Sequence, residues 1–541
     1  MTTTIEDMYR SFAGEDETSR HRARENAALV KPWVAPYTGH SDQVDRAQSY
    51  TSFTTAAETA LEGKFMLGMF SPQEPWLAYN GPPEIMHSQD VDSAVKEQIT
   101  RGLISREIVV QSLVEGATSD RNGAASALGF HARVRQAIAQ LVITGDVLVK
   151  QSGDFTISMF RRDNYVTRRR ADSVPVLYAT QDRVDLAGLD DATLDKIGKS
   201  RGDVDRMSFR DRYIDAFTMV DWNPHSKVWV ITEEIDGKTI GVTQSEVCPY
   251  MGVSYELGVA ENYGRGVIDQ NRGNVITLDA LARAIKETAA AAAKNHPIID
   301  PNQKTLLPSH LMQETGTPLF SRVIGGQPQD IGMLSLVSLP GYEVTLRAFE
   351  SVKLELARAM LYDSASIPAK ERTTATQVRA ITEELGSSNA AAFAAIPDQF
   401  HRPLAEHTEA LAIRKKILKK IEYEAGGKTR TIRPTIITGF AAIGRQLKLQ
   451  NIVTLAGLVS QLGEEAAKEL NQAALISVIM RYSGVREPGI LKTEEDKRRE
   501  TQSALAAQAA AALGDAAAGG FGQAIGGAVG GAVAGNLGVP A

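Results

Sequence analysis

The chain has 541 residues, 43% apolar and 23% charged, a balance that fits several folded domains with a substantial buried core. Its formal charge of −6 argues against a protein that grips nucleic acid non-specifically, since such proteins carry a clustered basic excess that releases counterions from phosphates. The single cysteine, Cys248, excludes an intrachain disulfide and a cysteine-based zinc site, and suits a reducing cytoplasm.

The opening stretch MTTTIEDMYRSFAGEDETSR mixes acids and bases without an apolar run, so neither a signal peptide nor a membrane anchor is expected there. Helical spacing runs from Ile5 to Leu29, and again from Asp92 to Ile143 with a break near Gly123. Between them Trp76, in SPQEPWLAYNGPP, is expected in a proline-punctuated loop crossing the surface of these helices. From Asp146 the period changes. VLVKQSGDFTISMF predicts two strands around Ser152-Gly153-Asp154, and VWVITEEIDGKTIGVTQ predicts two more around Asp236-Gly237, a favoured hairpin dipeptide. The basic run RRDNYVTRRR, residues 161–170, reads as a solvated edge or loop, with a nucleic-acid patch as the alternative.

After Gly264 the pattern predicts a long helix with Ile276, Leu278, Leu281 and Ile285 as its apolar stripe, ending at the His296-Pro297 junction. Short β-like segments (PIID, LFSRVI, MLSLVSL) then predict a small α/β insertion up to Pro340. A second helix follows, with Phe349, Val352, Leu356 and Met360 on one face and charges of both signs around it, stopping near Tyr362. A polar stretch precedes Thr374 and Gln377, a capping-box pair that starts another helix. The chain stays mostly helical to about Tyr482, with interruptions at Gly426-Gly427 and RPTIITG. The tail from Ser503 to Ala541 is Ala/Gly-rich with Asp515 as its only charge, too poor in bulky side chains to build a core. Its GGAVGGAVAG segment spaces small residues as membrane helices do. Its glycine content and lack of flanking cations favour a helical element followed by a disordered end.

Motifs for enzymatic chemistry fail one by one. Ile197-Gly198-Lys199-Ser200 resembles the end of a phosphate-binding loop, but Thr193 stands where that loop needs glycine. YGRGVIDQNRG begins like a dinucleotide fingerprint, yet Asp269 replaces the third glycine. His401 and His407 are too far apart along a helix for the usual zinc pair, and no GxSxG elbow is present. Cys248, beside Pro249, reads as a packed thiol and not a nucleophile. No enzyme, cofactor or metal is expected.

Several stretches in collinear order resemble the portal (head-to-tail connector) family of short-tailed, T7-like bacteriophages. They are KFMLGMFSPQEPW (Lys64–Trp76), CPYMGVSYELGVAENYGRGVIDQNRGNVITLDALARAIKE (Cys248–Glu287), the segment Gly326–Ile331, ERTTATQVRAITEEL (Glu371–Leu385), TGFAAIGRQLKLQ (Thr438–Gln450) and ILKTEEDKRRE (Ile490–Glu500). The chain departs from the family pattern at Gln303–Ile324, at Pro368 and in the Ala/Gly tail.

The resemblance implies an α+β, mainly α, portal fold assembled as a dodecameric ring. Its expected parts are a wing (1–263), a first stem helix (264–296), an α/β clip (297–340), a second stem helix (341–362) and a tunnel loop (363–373). A long helix returning to the wing (374–444), a helical crown (445–502) and the tail (503–541) follow. It further implies a channel for genome packaging and ejection at one capsid vertex of the virion, assembled in the host cytoplasm. The implied partners are double-stranded DNA, a transient terminase large subunit, a tail adaptor, and capsid and scaffolding proteins, with no membrane. By the same resemblance Ser364, Ser366, Lys370 and Arg372 line the tunnel loop, with Glu371 as a possible ion partner that would make the two cations structural. Arg283, Lys286 and Lys294 are candidates for the stem channel, and Gln303, Lys304, His310 and Gln313 for partner docking at the clip. The basic run Arg414–Lys420 reads as an exposed helix end, with contact to packaged DNA as the alternative. The competing functions are another ring-forming tail adaptor or structural protein, and an enzyme on an α+β scaffold.

Overall fold

The computed structural model describes residues 4–36, 49–70, 76–80, 93–116, 129–209, 211–292, 296–299, 323–324, 327–328, 331–334, 339–362, 396–420, 422–425, 428–431, 435–438, 454–455 and 457. The chain divides into two units, Met1–Lys448 and Leu449–Ala541. Of the second unit, residues 454, 455 and 457 are described, all helical, and every other described element belongs to the first.

α1 (Ile5–Glu15) begins at a reciprocal capping box in which the Thr4 hydroxyl accepts the Asp7 N–H at 3.1 Å. After the single joint residue Asp16 come α2 (Glu17–Val30) and then α3 (Phe53–Met69). Next are β1 (Leu77–Asn80), α4 (Ser93–Glu115) and α5 (Phe130–Thr144). These elements share one core, in which Ala27, Leu61, Phe65, Leu103, Val110, Val134 and Leu141 are buried. Burial of this apolar area is the main driving force of the helical layer.

α5 stops at Gly145, whose φ of +86° only glycine adopts without strain. A Cβ there would also meet the Gly264 carbonyl at 2.6 Å, and one on Gly266 would run into the Val142 carbonyl. The glycines of the Tyr-Gly-Arg-Gly stretch therefore let two backbones touch.

β2 (Asp146–Gln151) is the centre of a three-stranded antiparallel sheet, flanked by β3 (Ile157–Phe160) and by a strand much later in the chain. β4 (Tyr165–Arg169) and β5 (Pro175–Asp185) open a second sheet. Two short helices follow, α6 (Asp191–Ile197) and α7 (Arg201–Arg206). The intervening Gly198 ends α6 with φ +76°, and Ser200 caps α7 by accepting the Asp203 N–H on its hydroxyl at 3.2 Å. The phosphate-loop-like Gly-Lys-Ser is thus one helix stop followed by one helix start.

β6 (Tyr213–Asn223), β7 (Val228–Ile235) and β8 (Lys238–Ser245) complete a five-stranded antiparallel meander in the order β4-β5-β6-β7-β8. The predicted Asp236-Gly237 turn joins β7 to β8, both residues at positive φ, 54° and 69°, as a type I′ hairpin requires. β9 (Tyr250–Ser254) returns to pair with β2. Leu148, Phe160, Tyr165, Tyr178, Val220, Tyr250 and Tyr263 fill the space between the two sheets.

α8 (Val267–Gln270) leads into α9 (Arg272–Ala292). In the insertion, β10 (His296–Ile299) pairs antiparallel with β13 (Ile331–Leu334), and β11 (Val323–Ile324) with β12 (Gln327–Pro328). α10 (Leu339–Ala359) comes next. A π-helical turn, Pro397–His401, precedes α11 (Arg402–Arg414), and the described strands end with β14 (Glu422–Ala425), β15 (Lys428–Thr431) and β16 (Thr435–Thr438).

Four sequence expectations are corrected. The Trp76 segment is not a surface loop: β1 pairs with β16, and Trp76, Leu77, Ala78 and Tyr79 are all buried. The interruptions near Gly426-Gly427 and RPTIITG are strands, one forming the β14–β15 hairpin and the other being β16. The run 161–170 does contain an edge strand, β4, but it is not solvated along its length, and most of its arginines are taken up by internal partners. Arg162 is 1% exposed and sits over the Tyr263 ring at 3.5 Å, and Arg168 donates to both carboxylate oxygens of Asp16 at 3.0 and 2.9 Å. Arg169 bonds Asn262, Ser173, Gly252 and Ser254. The buried stripe of α9 runs through Val275, Leu278 and Ala282, leaving Ile276 45% exposed. The predicted helix end at the His296-Pro297 junction falls beside residues 293–295, outside the described residues; α9 is described to Ala292 and β10 begins at His296.

Candidate functional site: the antiparallel helix pair

α9 and α10 run antiparallel. The Asn274 amide, in the first turn of α9, donates to Glu355 Oε2 in the last turns of α10 at 3.4 Å, and at their other ends the chain crosses through the antiparallel β10–β13 pair. The root of the pair is anchored, because Val275, Leu278, Leu356 and Met360 enter the main core, with Phe349 and Val352 packed against its edge. The outer parts are open. Val344 there is 68% exposed, and nearer the root Leu354 is 42% exposed, so large aliphatic side chains face outward on one helix.

Charge on the pair is nearly balanced. Arg272, Arg283, Lys286, Arg347, Lys353 and Arg358 alternate with Asp279, Glu287, Glu343, Glu350 and Glu355. Arg283 pairs with Glu287 four residues on at 2.7 Å, and Arg347 with Glu343 at 3.9 Å. The Glu287 hydrogen bond and charge push the Arg283 guanidinium further up, so it stays cationic.

The segment Ser49–Phe53 lies across both helices. The Tyr50 N–H donates to Asp279 Oδ1 at 2.7 Å, Lys286 Nζ donates to the Tyr50 carbonyl, and the Arg283 guanidinium lies 5.3 Å from the Tyr50 ring centroid. On the other helix Lys353 Nζ lies 5.4 Å from the Phe53 ring centroid. Nothing in the spacing of Tyr50 or Phe53 announces this, since their partners are more than two hundred residues away in sequence. Of the predicted positions, the structure therefore brings Arg283 and Lys286 together on one exposed face, each already holding a protein partner. Lys294, Gln303, Lys304, His310, Gln313, Ser364, Ser366, Lys370 and Arg372 lie outside the described residues, as do Thr374, Gln377 and the Ala/Gly tail.

Elsewhere several buried polar groups are held by internal partners or by burial alone. A groove of about 560 Å³ is lined by Lys150, Gln151, Glu233, Tyr250, His407 and Arg414 among others. Its histidine is engaged, with Nδ1 2.7 Å from Gln151 Oε1, and burial pushes it down to about 4. His401 is fully buried among Phe70, Trp76 and Phe400, and burial pushes it down to about 3. Burial lifts the Cys248 thiol to about 12, so it is no thiolate at neutral pH. Among the described residues no group of His, Cys, Asp and Glu could hold a metal ion, and no helix is long and apolar enough to cross a membrane.

The model of the family described as "Bacteriophage head to tail connecting protein" matches residues 2–491. The portal protein of Escherichia phage T7 is 22% identical over 507 residues, covering 91% of this chain and 89% of that one. The portal protein of Enterobacteria phage T3 is likewise 22% identical over 502 residues, covering 91% and 87%. A chain from the neck of a native gene transfer agent particle aligns over 79% of this chain and 89% of its own at 11% identity, with a TM-score of 0.35, too loose a likeness to carry an argument. With the match running through almost the whole described fold, helix pair included, the chain belongs to the bacteriophage head to tail connecting protein family.

Proposed function

We propose that this chain is the subunit of a portal ring, a dodecamer that forms the DNA channel at one capsid vertex, and that it is not an enzyme. The carrying observation is the α9–α10 pair, rooted in the core and open along its length, with aliphatic side chains where a monomer should be polar. Repeated around a ring, the exposed Ile276, Val344 and Leu354 become subunit contacts, and the alternating charges leave a wall close to neutral. A conduit must centre a polyanion without arresting it, and each tight phosphate contact would add a salt-sensitive barrier.

In this reading the clip docks a terminase large subunit during packaging and a tail adaptor afterwards, and capsid and scaffolding proteins surround the ring during assembly in the host cytoplasm. Lys370 and Arg372 in the tunnel loop touch passing phosphates. The decisive test is paired. Val344→Glu with Leu354→Glu is expected to leave a folded chain by circular dichroism but abolish ring formation, whereas Lys370→Glu is expected to impair DNA packaging or retention and spare assembly. Intact rings from the first variant, or equal loss of assembly in the second, would contradict the proposed roles.

A further inference from the structure

We infer that the turn closing α11, Arg414–Lys420, is a rigid binding surface for the phosphate backbone of duplex DNA, outside the helix pair and the channel. It rests on the portal reading only for the presence of DNA. Arg414, Lys415, Lys416, Lys419 and Lys420 are all exposed, and none forms an ion pair among the described residues. The other basic run of the chain, residues 161–170, differs. The arginines at 162, 168 and 169 are consumed by internal partners, and Arg283 and Arg347 have acids one helical turn away.

A frayed helix end would explain loose charges, but this end is fixed. The Lys416 N–H donates to the Ile413 carbonyl at 3.0 Å and the Ile417 N–H to the Ala412 carbonyl at 2.9 Å, the paired bonds of a Schellman stop. Leu418 packs beside Phe155, Leu411 and Ala412, and Arg106 donates to the Lys419 carbonyl at 2.7 Å. Lys415 Nζ lies 4.8 Å from the Phe155 ring centroid.

The residue at the strained corner of the stop is Lys416, at φ +60°, where glycine or asparagine would sit without a Cβ penalty. A lysine held in a backbone state that disfavours it points to use of its charge. The helix dipole favours one or two cations at this end, but its influence fades within the last turn and does not account for Lys419 and Lys420. Unmatched, fixed cations on a short arc are what a regularly charged polyanion requires.

The full-length protein should be tested by filter binding with a relaxed closed circular duplex, which cannot thread a closed ring. The variant combines Lys416→Gly, Lys419→Gln and Lys420→Gln. The glycine suits the backbone, so thermal unfolding should be unchanged or raised. Binding is expected to weaken roughly tenfold or more at about 150 mM salt, and the slope of log affinity against log salt to become shallower by about 2.7. Unchanged affinity and slope would overturn the inference. So would a variant that loses binding to phosphatidylglycerol–phosphatidylcholine vesicles while keeping its affinity for DNA. Native mass spectrometry of the same preparations separates this failure from that of the portal reading: rings with unaltered DNA binding defeat the surface alone, and an absence of rings defeats the portal reading.

Discussion

The Glu234 carboxylate accepts the N–H of Ile5 at 2.9 Å, so a residue of the five-stranded sheet closes the first turn of the first helix. Its second oxygen accepts the Glu6 N–H at 3.2 Å, and the register shift between Glu233 and Glu234 sits at this residue. Two otherwise orphaned helix amides are thereby satisfied, and a negative charge lies at the positive end of the helix dipole.

Glu234→Ala should lower unfolding stability by about 1–2 kcal/mol, the usual cost of losing a cap acceptor. Glu234→Gln, which keeps a carbonyl oxygen, should recover part of it. Urea denaturation followed by circular dichroism checks both, and equal losses in the two variants would show that the side-chain acceptor is irrelevant.

The Gly145 junction predicts a larger effect. Gly145→Ala places a Cβ on a residue at φ +86° and 2.6 Å from the Gly264 carbonyl, which is backbone and cannot step aside. A loss of about 3 kcal/mol or more is expected. Gly153, which has open space around a would-be Cβ, serves as the control: Gly153→Ala should shift the melting temperature little.

A buried ion cluster sets the alkaline limit. Lys31 reaches both Glu58 and Glu62, and burial, then the neighbouring Glu62, lifts the Glu58 carboxyl from its usual 4.5 to about 9. Because the folded value lies above the unfolded one, the contribution of Glu58 is full below pH 4.5 and is lost as pH rises towards about 9. Glu58→Gln should therefore flatten the fall in melting temperature between those limits. A variant that keeps the wild-type slope would refute the assignment.

The acid limit carries the opposite sign. Burial depresses His401 from 6.5 to about 3 and His407 to about 4, so the stability they confer is present above pH 6.5 and lost as pH falls through the folded values. His401→Phe, surrounded by Phe70, Trp76 and Phe400, should lose less stability than the wild type on going from neutral pH to about 4. A parallel acid curve would mean that folding does not depress the His401 imidazole.

Legibility in the sequence follows the range of the interactions. The Asp236-Gly237 turn is readable because a type I′ hairpin is decided by two adjacent residues. The buried face of α10 is readable because Leu356 and Met360 recur at helical spacing. β1 is not readable, since Leu77 pairs with Thr438 and only that distant strand turns a proline-flanked segment into buried sheet. The basic run misleads for a related reason: Arg168 and Arg169 look solvated until Asp16 and Asn262 arrive from elsewhere in the chain. On α9 Leu278 is buried as its spacing implies, but Val275 and Ala282 are buried where Ile276 and Leu281 were expected, because only the root of the helix meets the core. At the candidate site Arg283 and Lys286 are legible as exposed helix cations, but their shared partner Tyr50 is not. The tunnel-loop and clip positions come from family resemblance and not from spacing or composition.

In the proposed ring the open helix pair forms the wall of the channel. Native mass spectrometry of the purified full-length chain, with electron-microscopic imaging of the same particles, tests it most directly. The expected result is a dominant twelve-subunit species with a central channel wide enough for duplex DNA. A species that stays monomeric at high concentration, or particles with no axial channel, would contradict it.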